Sequence, residues 1–208
     1  MYKKQMKFQK IACYLMLAAS VIVFIYSLGI LTDLYDCLYS TMRSKSNIMK
    51  TDVPGSHIYY EMQGYDPATN AFSNPNFNSL LTMAGIGLII VNLVLFITCT
   101  HSRRKYYIGN YVAVALSAIS SIAVSVWSVI NIMSYKEKFL QIDFEALKIH
   151  AEQKHTAYTE STFWFDAAYF VFGLLILATA LLVANFVLKL IVMKKEKRLI
   201  GSRKDVRA

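Results

Sequence analysis

The sequence predicts an all-α integral membrane protein, a bundle of four transmembrane helices with an extracytoplasmic cap made of the first long loop and an amphipathic helix. Three observations carry this expectation. Four runs contain no Asp, Glu, Lys or Arg: Ile11 to Leu31, Leu80 to Cys99, Tyr106 to Met133 and Ala167 to Leu188, of 21, 20, 28 and 22 residues. A helix rises ~1.5 Å per residue and the hydrocarbon core of a bilayer is ~30 Å thick, so each run reaches across. The charges between the runs alternate in sign, and the longer connections contain a stretch with helical periodicity.

The formal net charge is +9, which would suit a nucleic-acid binder if it gathered on one soluble face. It gathers instead at membrane borders. Residues 1–10, 100–105 and 189–208 hold 15 basic and 2 acidic residues, or +13; residues 32–79 and 134–166 hold 7 basic and 11 acidic residues, or −4. This positive-inside asymmetry predicts a plasma-membrane protein with both termini and the link 100–105 cytoplasmic, and with loops 32–79 and 134–166 outside. Nucleic acid is not an expected partner; the bilayer is.

The first span begins after a basic segment, Lys3 to Lys10, and resembles a signal peptide in outline. Its apolar stretch of 21 residues is longer than the ~15 typical of a cleaved leader, so it is read as a retained helix. Beyond it, Asp33-Leu-Tyr-Asp-Cys-Leu-Tyr keeps helical spacing through Leu34 and Leu38, which predicts a helix projecting to about Met42. Asp33 and Asp36 would then form an acidic pair at the outer border. Turns follow at Pro54-Gly55 and Asp66-Pro67, and the intervening His57-Ile-Tyr-Tyr-Glu-Met suits a short strand or a segment packed on the helix tops. Tyr59, Tyr60 and Tyr65 lie in this loop as candidate partner-binding residues, because tyrosine supplies rigid amphipathic contact area.

The six-residue link 100–105 makes the second and third spans antiparallel neighbours. In the third span Ala113, Ser117, Ser121 and Ser125 recur every four residues, with Ser128 one turn further. Such a stripe makes a groove in which another helix can approach closely; in an oligomer it could instead line a pore. Asn92 in the second span and Asn185 in the fourth are deep polar side chains that require interhelical partners. In the second long loop, residues 136–154 read as an amphipathic helix with Leu140, Phe144, Leu147 and Ala151 on one face. Its four basic and four acidic residues cancel, so it is expected to pack on protein rather than on anionic lipid, and Leu140, Phe144 and Leu147 complete the candidate partner surface. The sequence contexts of Asn92 and Asn185 also suggest a weak duplication of the two halves.

The residue types needed for most chemistry are not grouped in the sequence. The span cores hold no ionisable carboxylate or amine such as ion-coupled transport uses. His150 and His155 are five apart, off a common helical face, and no Cys-x-x-Cys, glycine-rich phosphate loop or nucleophile elbow occurs. The three cysteines, Cys13, Cys37 and Cys99, form no external disulfide framework. No Asn-x-Ser/Thr acceptor occurs, which fits a bacterial source without establishing one. The marks of tetraspanins, claudins, connexins and small multidrug exporters are missing. The expectation is therefore a non-catalytic protein with no catalytic site, cofactor or metal, acting as an accessory or assembly subunit of a larger membrane complex such as a solute transporter or sensor. The alternative is a small oligomeric channel or facilitator with a serine-lined pore.

Overall fold

The structure, a computed structural model, describes residues 2–29, 53, 58–66, 68–69, 71–101, 107–154 and 160–205. In chain order the elements are α1 (Tyr2–Ser27), α2 (Ile58–Met62), β1 (Tyr65–Asp66), β2 (Ala71–Phe72), α3 (Phe77–His101), α4 (Tyr107–Phe139), α5 (Phe144–Lys154) and α6 (Phe163–Asp205). Helices α1, α3, α4 and α6 contain the four candidate membrane spans, Lys4–Ser27, Phe77–Cys99, Gly109–Phe139 and Phe163–Lys195. The protein is an all-α, multi-pass membrane protein of four spanning helices.

The distribution of side chains over these helices is that of a protein built for lipid. Ile11, Tyr14, Leu15, Val21 and Ile25 are exposed on α1, and Met83, Ile90, Val94 and Ile97 on α3. Val112, Leu116, Ile119 and Val126 are exposed on α4, and Tyr169, Phe170, Leu177 and Val187 on α6. Gln5, Gln9, Asn92, Asn110, Ser117, Thr179 and Asn185 are buried. An aqueous protein rarely exposes so much contiguous apolar surface, whereas hydrocarbon makes the apolar face free to expose and the polar one costly.

The contacts divide the chain into two compact units. The first comprises residues 1–21, 87–123 and 174–208, the second residues 22–86 and 124–173, and each of the four long helices contributes to both. In the second unit the elements outside the long helices are held by local chemistry. Asn76 caps α3: its Oδ1 accepts from the Ser79 amide at 2.9 Å, while its own amide donates to Ser79 Oγ at 3.2 Å. Asp143 caps α5 through Oδ1, which accepts from the Ala146 amide at 3.0 Å. The two-residue strands pair antiparallel, Tyr65 with Phe72 and Asp66 with Ala71. Gly64, at φ 90°, precedes this hairpin, and a Cβ there would fall 2.3 Å from the Ser73 carbonyl oxygen.

Several boundaries differ from those expected. Helix α1 stops at Ser27 instead of running on to Met42, because Gly29 adopts φ 64° and its amide turns back to the Tyr26 carbonyl at 3.0 Å. Asp33, Asp36 and the rest of the expected projection lie outside the described residues. Of the two readings for the segment from His57, a short strand or a packed piece, the strand is not found: Ile58–Met62 is a short helix with Ile58 and Met62 buried. The expected amphipathic helix over 136–154 is divided: residues 136–139 finish α4, a turn covers 140–143, and α5 starts after its Asp143 cap. Helix α6 has 43 residues, ~65 Å at ~1.5 Å per residue, so it continues well past one bilayer thickness into the basic C-terminal segment.

Aromatic packing fills the second unit. Tyr26 stacks on Trp164 with centroids 5.0 Å apart and donates its hydroxyl hydrogen to the Trp164 carbonyl at 3.1 Å. Phe139 meets Phe165 at 5.2 Å and Phe144 at 5.3 Å, and Phe77 meets Trp127 and Tyr135 at 5.4 and 5.3 Å. Such pairs contribute ~0.5–1.5 kcal/mol beyond their burial. Lys136 pairs with Asp166 at 2.6 Å and Lys138 with Glu61 at 2.8 Å.

Candidate functional site

Among the described residues the densest polar chemistry lies in the first unit, along one face of α1. Gln5, Gln9, Cys13 and Ser20 are separated by four, four and seven residues, which returns to one side of a helix, and all four are buried. Gln5, Gln9 and Ser20 each have a partner on another element. Gln5 Nε2 donates to Gln9 Oε1 and to Asn185 Oδ1, both at 3.1 Å, tying α1 to α6. Gln9 Nε2 donates to the Cys99 carbonyl at 2.9 Å, satisfying an oxygen near the end of α3. Cys13 and Cys99 are both buried, at 0% and 2% exposure. Cys99 Sγ donates in turn to Asn110 Oδ1 of α4 at 2.7 Å.

Further along the same face Ser20 meets Asn92. Asn92 Nδ2 donates to Ser20 Oγ at 2.6 Å, and Asn92 Oδ1 accepts a short hydrogen bond from Ser117 Oγ. Ser20 also donates to the Met16 carbonyl of its own helix at 2.8 Å. Asn92 is thus a three-helix node between α1, α3 and α4, fully buried. Thr179 of α6 adds a hydroxyl 3.7 Å from Met16 Sδ.

The two asparagines singled out in the sequence therefore have different partners and do not meet as a pair: Asn92 bonds serines and Asn185 bonds Gln5. Ala113, Ser117, Ser121, Ser125 and Ser128 are all at most 6% exposed, so the stripe faces the interior of this one chain. Of its hydroxyls, Ser117 is on Asn92, while Ser128 Oγ is buried without a hydrogen-bond partner among the described residues.

The candidate partner surface divides by burial. Tyr65 and Leu147 are buried within the second unit, Leu147 completely, because the turn at 140–143 lets α5 fold its Leu147 face inward. Phe144 is half-buried against Phe139. Leu140, in the turn, is 59% exposed, and Ile149 on α5, which the periodicity did not single out, is 57% exposed. Tyr59 and Tyr60 belong to α2, and their side chains lie outside what the structure describes.

Sequence reasoning missed Gln5, Gln9 and Asn110. The available signal was the four-residue spacing of Gln5, Gln9 and Cys13, which was masked by the four lysines around it. No family model, curated protein or solved structure matches this chain.

Proposed function

We propose that the protein is a non-catalytic accessory or assembly subunit of a larger membrane complex such as a solute transporter or sensor. It would reside in the plasma membrane with both termini in the cytoplasm. The observation that carries this reading is the internal use of span polarity: Gln5, Gln9, Asn92, Asn110, Asn185 and Ser117 hydrogen-bond within the chain's own first unit. A path for ions or polar solutes needs side chains or carbonyls that replace water around the solute, and these groups are already engaged. Polar contacts of this kind serve as glue between helices. Outside the long helices, α5 has 11 residues, too few to cross a bilayer, and shows Ile149 on its surface beside the exposed Leu140 of the preceding turn. Apolar side chains on a short connecting helix suit an anchor for a neighbouring membrane protein.

The charge asymmetry of +13 against −4 supports the orientation. In a Cys37→Ser background, cysteines introduced at Ser46 and Thr156 should react with an impermeant maleimide on intact cells, and one at Ser202 should not. Labelling at Ser202 would reverse or abolish the assignment. For function, the native protein should co-purify in mild detergent with a defined membrane partner, and Ile149→Glu or Leu140→Glu should reduce that partner's recovery without reducing insertion. If the purified chain alone instead conducts ions or passes a solute in liposomes, with flux lost in Ser121→Leu, the pore reading replaces this one.

A further inference from the structure

We propose that lysines on the lipid-facing surface of the first unit bind anionic phospholipid in the leaflet at the lysine-rich ends of α1 and α6. Three observations lead there. Lys4, Lys7 and Lys10 of α1 are exposed, while Gln5 and Gln9 between them are buried. Lys7 stands four residues before Ile11 and seven before Tyr14, and Lys10 four before Tyr14, so the lysines prolong the exposed face that α1 presents to hydrocarbon. Helix α6 repeats the arrangement: Lys194 and Lys195 are exposed, seven residues after the exposed Val187 and Leu188 respectively. These ends also lie together. Gln5 of α1 bonds Asn185 of α6 at 3.1 Å, and Met193, the residue before Lys194, receives the Tyr111 hydroxyl at 3.5 Å. The third observation is that this charge has no counterpart in the chain. Residues 1–21, 87–123 and 174–208, which make up the first unit, hold 15 basic residues against Glu196 and Asp205. In the second unit Lys136 and Lys138 pair with Asp166 and Glu61, whereas none of these five lysines pairs with a carboxylate among the described residues.

The placement of the charge fixes the class of partner. A lysine at the border of a span lays its four-carbon stem along apolar surface and holds its ammonium among the headgroups, where lipid phosphates are the nearest anions. Basic residues clustered beside a spanning helix draw anionic lipid, and each contributes about fivefold in affinity. A zwitterionic headgroup carries a cation of its own beside the phosphate and offers no net charge. Phosphatidylglycerol carries a single negative charge and is the representative partner. A soluble polyanion approaches from water and meets the ends of the helices, not the sides that continue into the acyl chains. Tyr14, exposed one turn beyond Lys10, suits the same border, since amphipathic rings collect at the headgroup level.

The test uses the full chain in mild detergent, titrated separately with phosphatidylglycerol and phosphatidylcholine of the same acyl chains, with bound lipid counted by native mass spectrometry. Phosphatidylglycerol should bind at least about fivefold more tightly, the contribution of one lysine. Glutamine at all five positions, Lys4, Lys7, Lys10, Lys194 and Lys195, should bring the two affinities together, and arginine at the same positions should keep them apart. Should the five-glutamine variant fail to fold, Lys7→Gln alone takes its place and should lower the preference by at least about twofold. Lys148→Gln, at an exposed position of α5 in the second unit, should leave the preference unchanged. Glycerol 3-phosphate, which has the phosphate without acyl chains, should displace no lipid. Equal affinity for the two lipids, an undiminished preference in the folded glutamine variant, an equal loss in Lys148→Gln, or displacement by glycerol 3-phosphate would each overturn the proposal.

Discussion

Replacing Asn92 by alanine should loosen the protein more than any other single polar truncation in its spans, and the structure allows the size of the effect to be worked out. The substitution removes the donor to Ser20 Oγ and the acceptor for Ser117 Oγ, so two interhelical hydrogen bonds vanish at once. Measured bonds of this kind within membranes average ~0.6 kcal/mol and reach ~1.7 kcal/mol. Ser20 keeps its bond to the Met16 carbonyl, so it is not orphaned, whereas the Ser117 hydroxyl loses its acceptor on Asn92 and must turn to its own helix. With a modest cavity term, the loss comes to about 1–3 kcal/mol, or roughly 5- to 150-fold in the folding equilibrium.

The assay is reversible unfolding in mixed micelles as SDS replaces mild detergent, followed by far-ultraviolet circular dichroism. A double-mutant cycle isolates the node. Asn92→Ala with Ser117→Ala should show a coupling of ~0.6–1.7 kcal/mol. Asn92→Ala with Asn185→Ala, which share no partner, should add to within about 0.5 kcal/mol. If the first pair is as additive as the second, the Asn92 node does not hold the three helices and the reasoning fails.

Two further predictions concern backbone approach and pH. A Cβ at Gly85 would lie 3.0 Å from Phe24 Cα and 3.3 Å from its Cβ, while one at Gly87 meets nothing within 4 Å. In the same SDS titration Gly87→Ala should therefore raise the midpoint, since alanine is favoured over glycine in a helix by ~1 kcal/mol. Gly85→Ala should lower it, because crowding against backbone costs ~1–3 kcal/mol; equal shifts of the same sign would refute the close approach. Asp66 accepts from Thr69 Oγ1 at 2.8 Å and from the Ala68 amide at 2.9 Å, and these bonds hold its carboxyl below the ordinary range. Its contribution to the turn is present above that range and disappears as pH falls through the lowered value. Amide exchange at Ala68 should quicken only in acid, and Asp66→Asn should remove the acid step; a step unchanged in Asp66→Asn would assign it elsewhere.

What could be read from the sequence depended on how each feature is written there. A charge-free run of 20 residues has one reading over its whole length, so the four spans were legible, and their charged borders set the expected orientation. Boundaries set by a single residue were not. Gly29 in a left-handed conformation ends α1 where the apolar and helical spacing continues toward Leu34, and Asp143 restarts a helix where periodicity suggested one continuous stretch from residue 136. The buried polar face was hidden for a different reason. In an aqueous protein an apolar stripe marks the inside of a helix, and α1, apolar all round, has no such stripe. In lipid the informative stripe is polar: Gln5, Gln9, Cys13, Ser20 and Ser27 recur at intervals of four and seven and are all buried, as are Asn110, Ser117, Ser121, Ser125 and Ser128 on α4. The α4 stripe was visible because its serines are crowded into twelve residues. The α1 stripe begins among lysines, where glutamine looks like part of a solvated tail, and its partners Cys99 and Asn185 are 90 and 180 positions away from Gln9 and Gln5. Each of these residues is ordinary alone. Their common face, which costs free energy if left unpaired in hydrocarbon, is what makes them the interior of the protein.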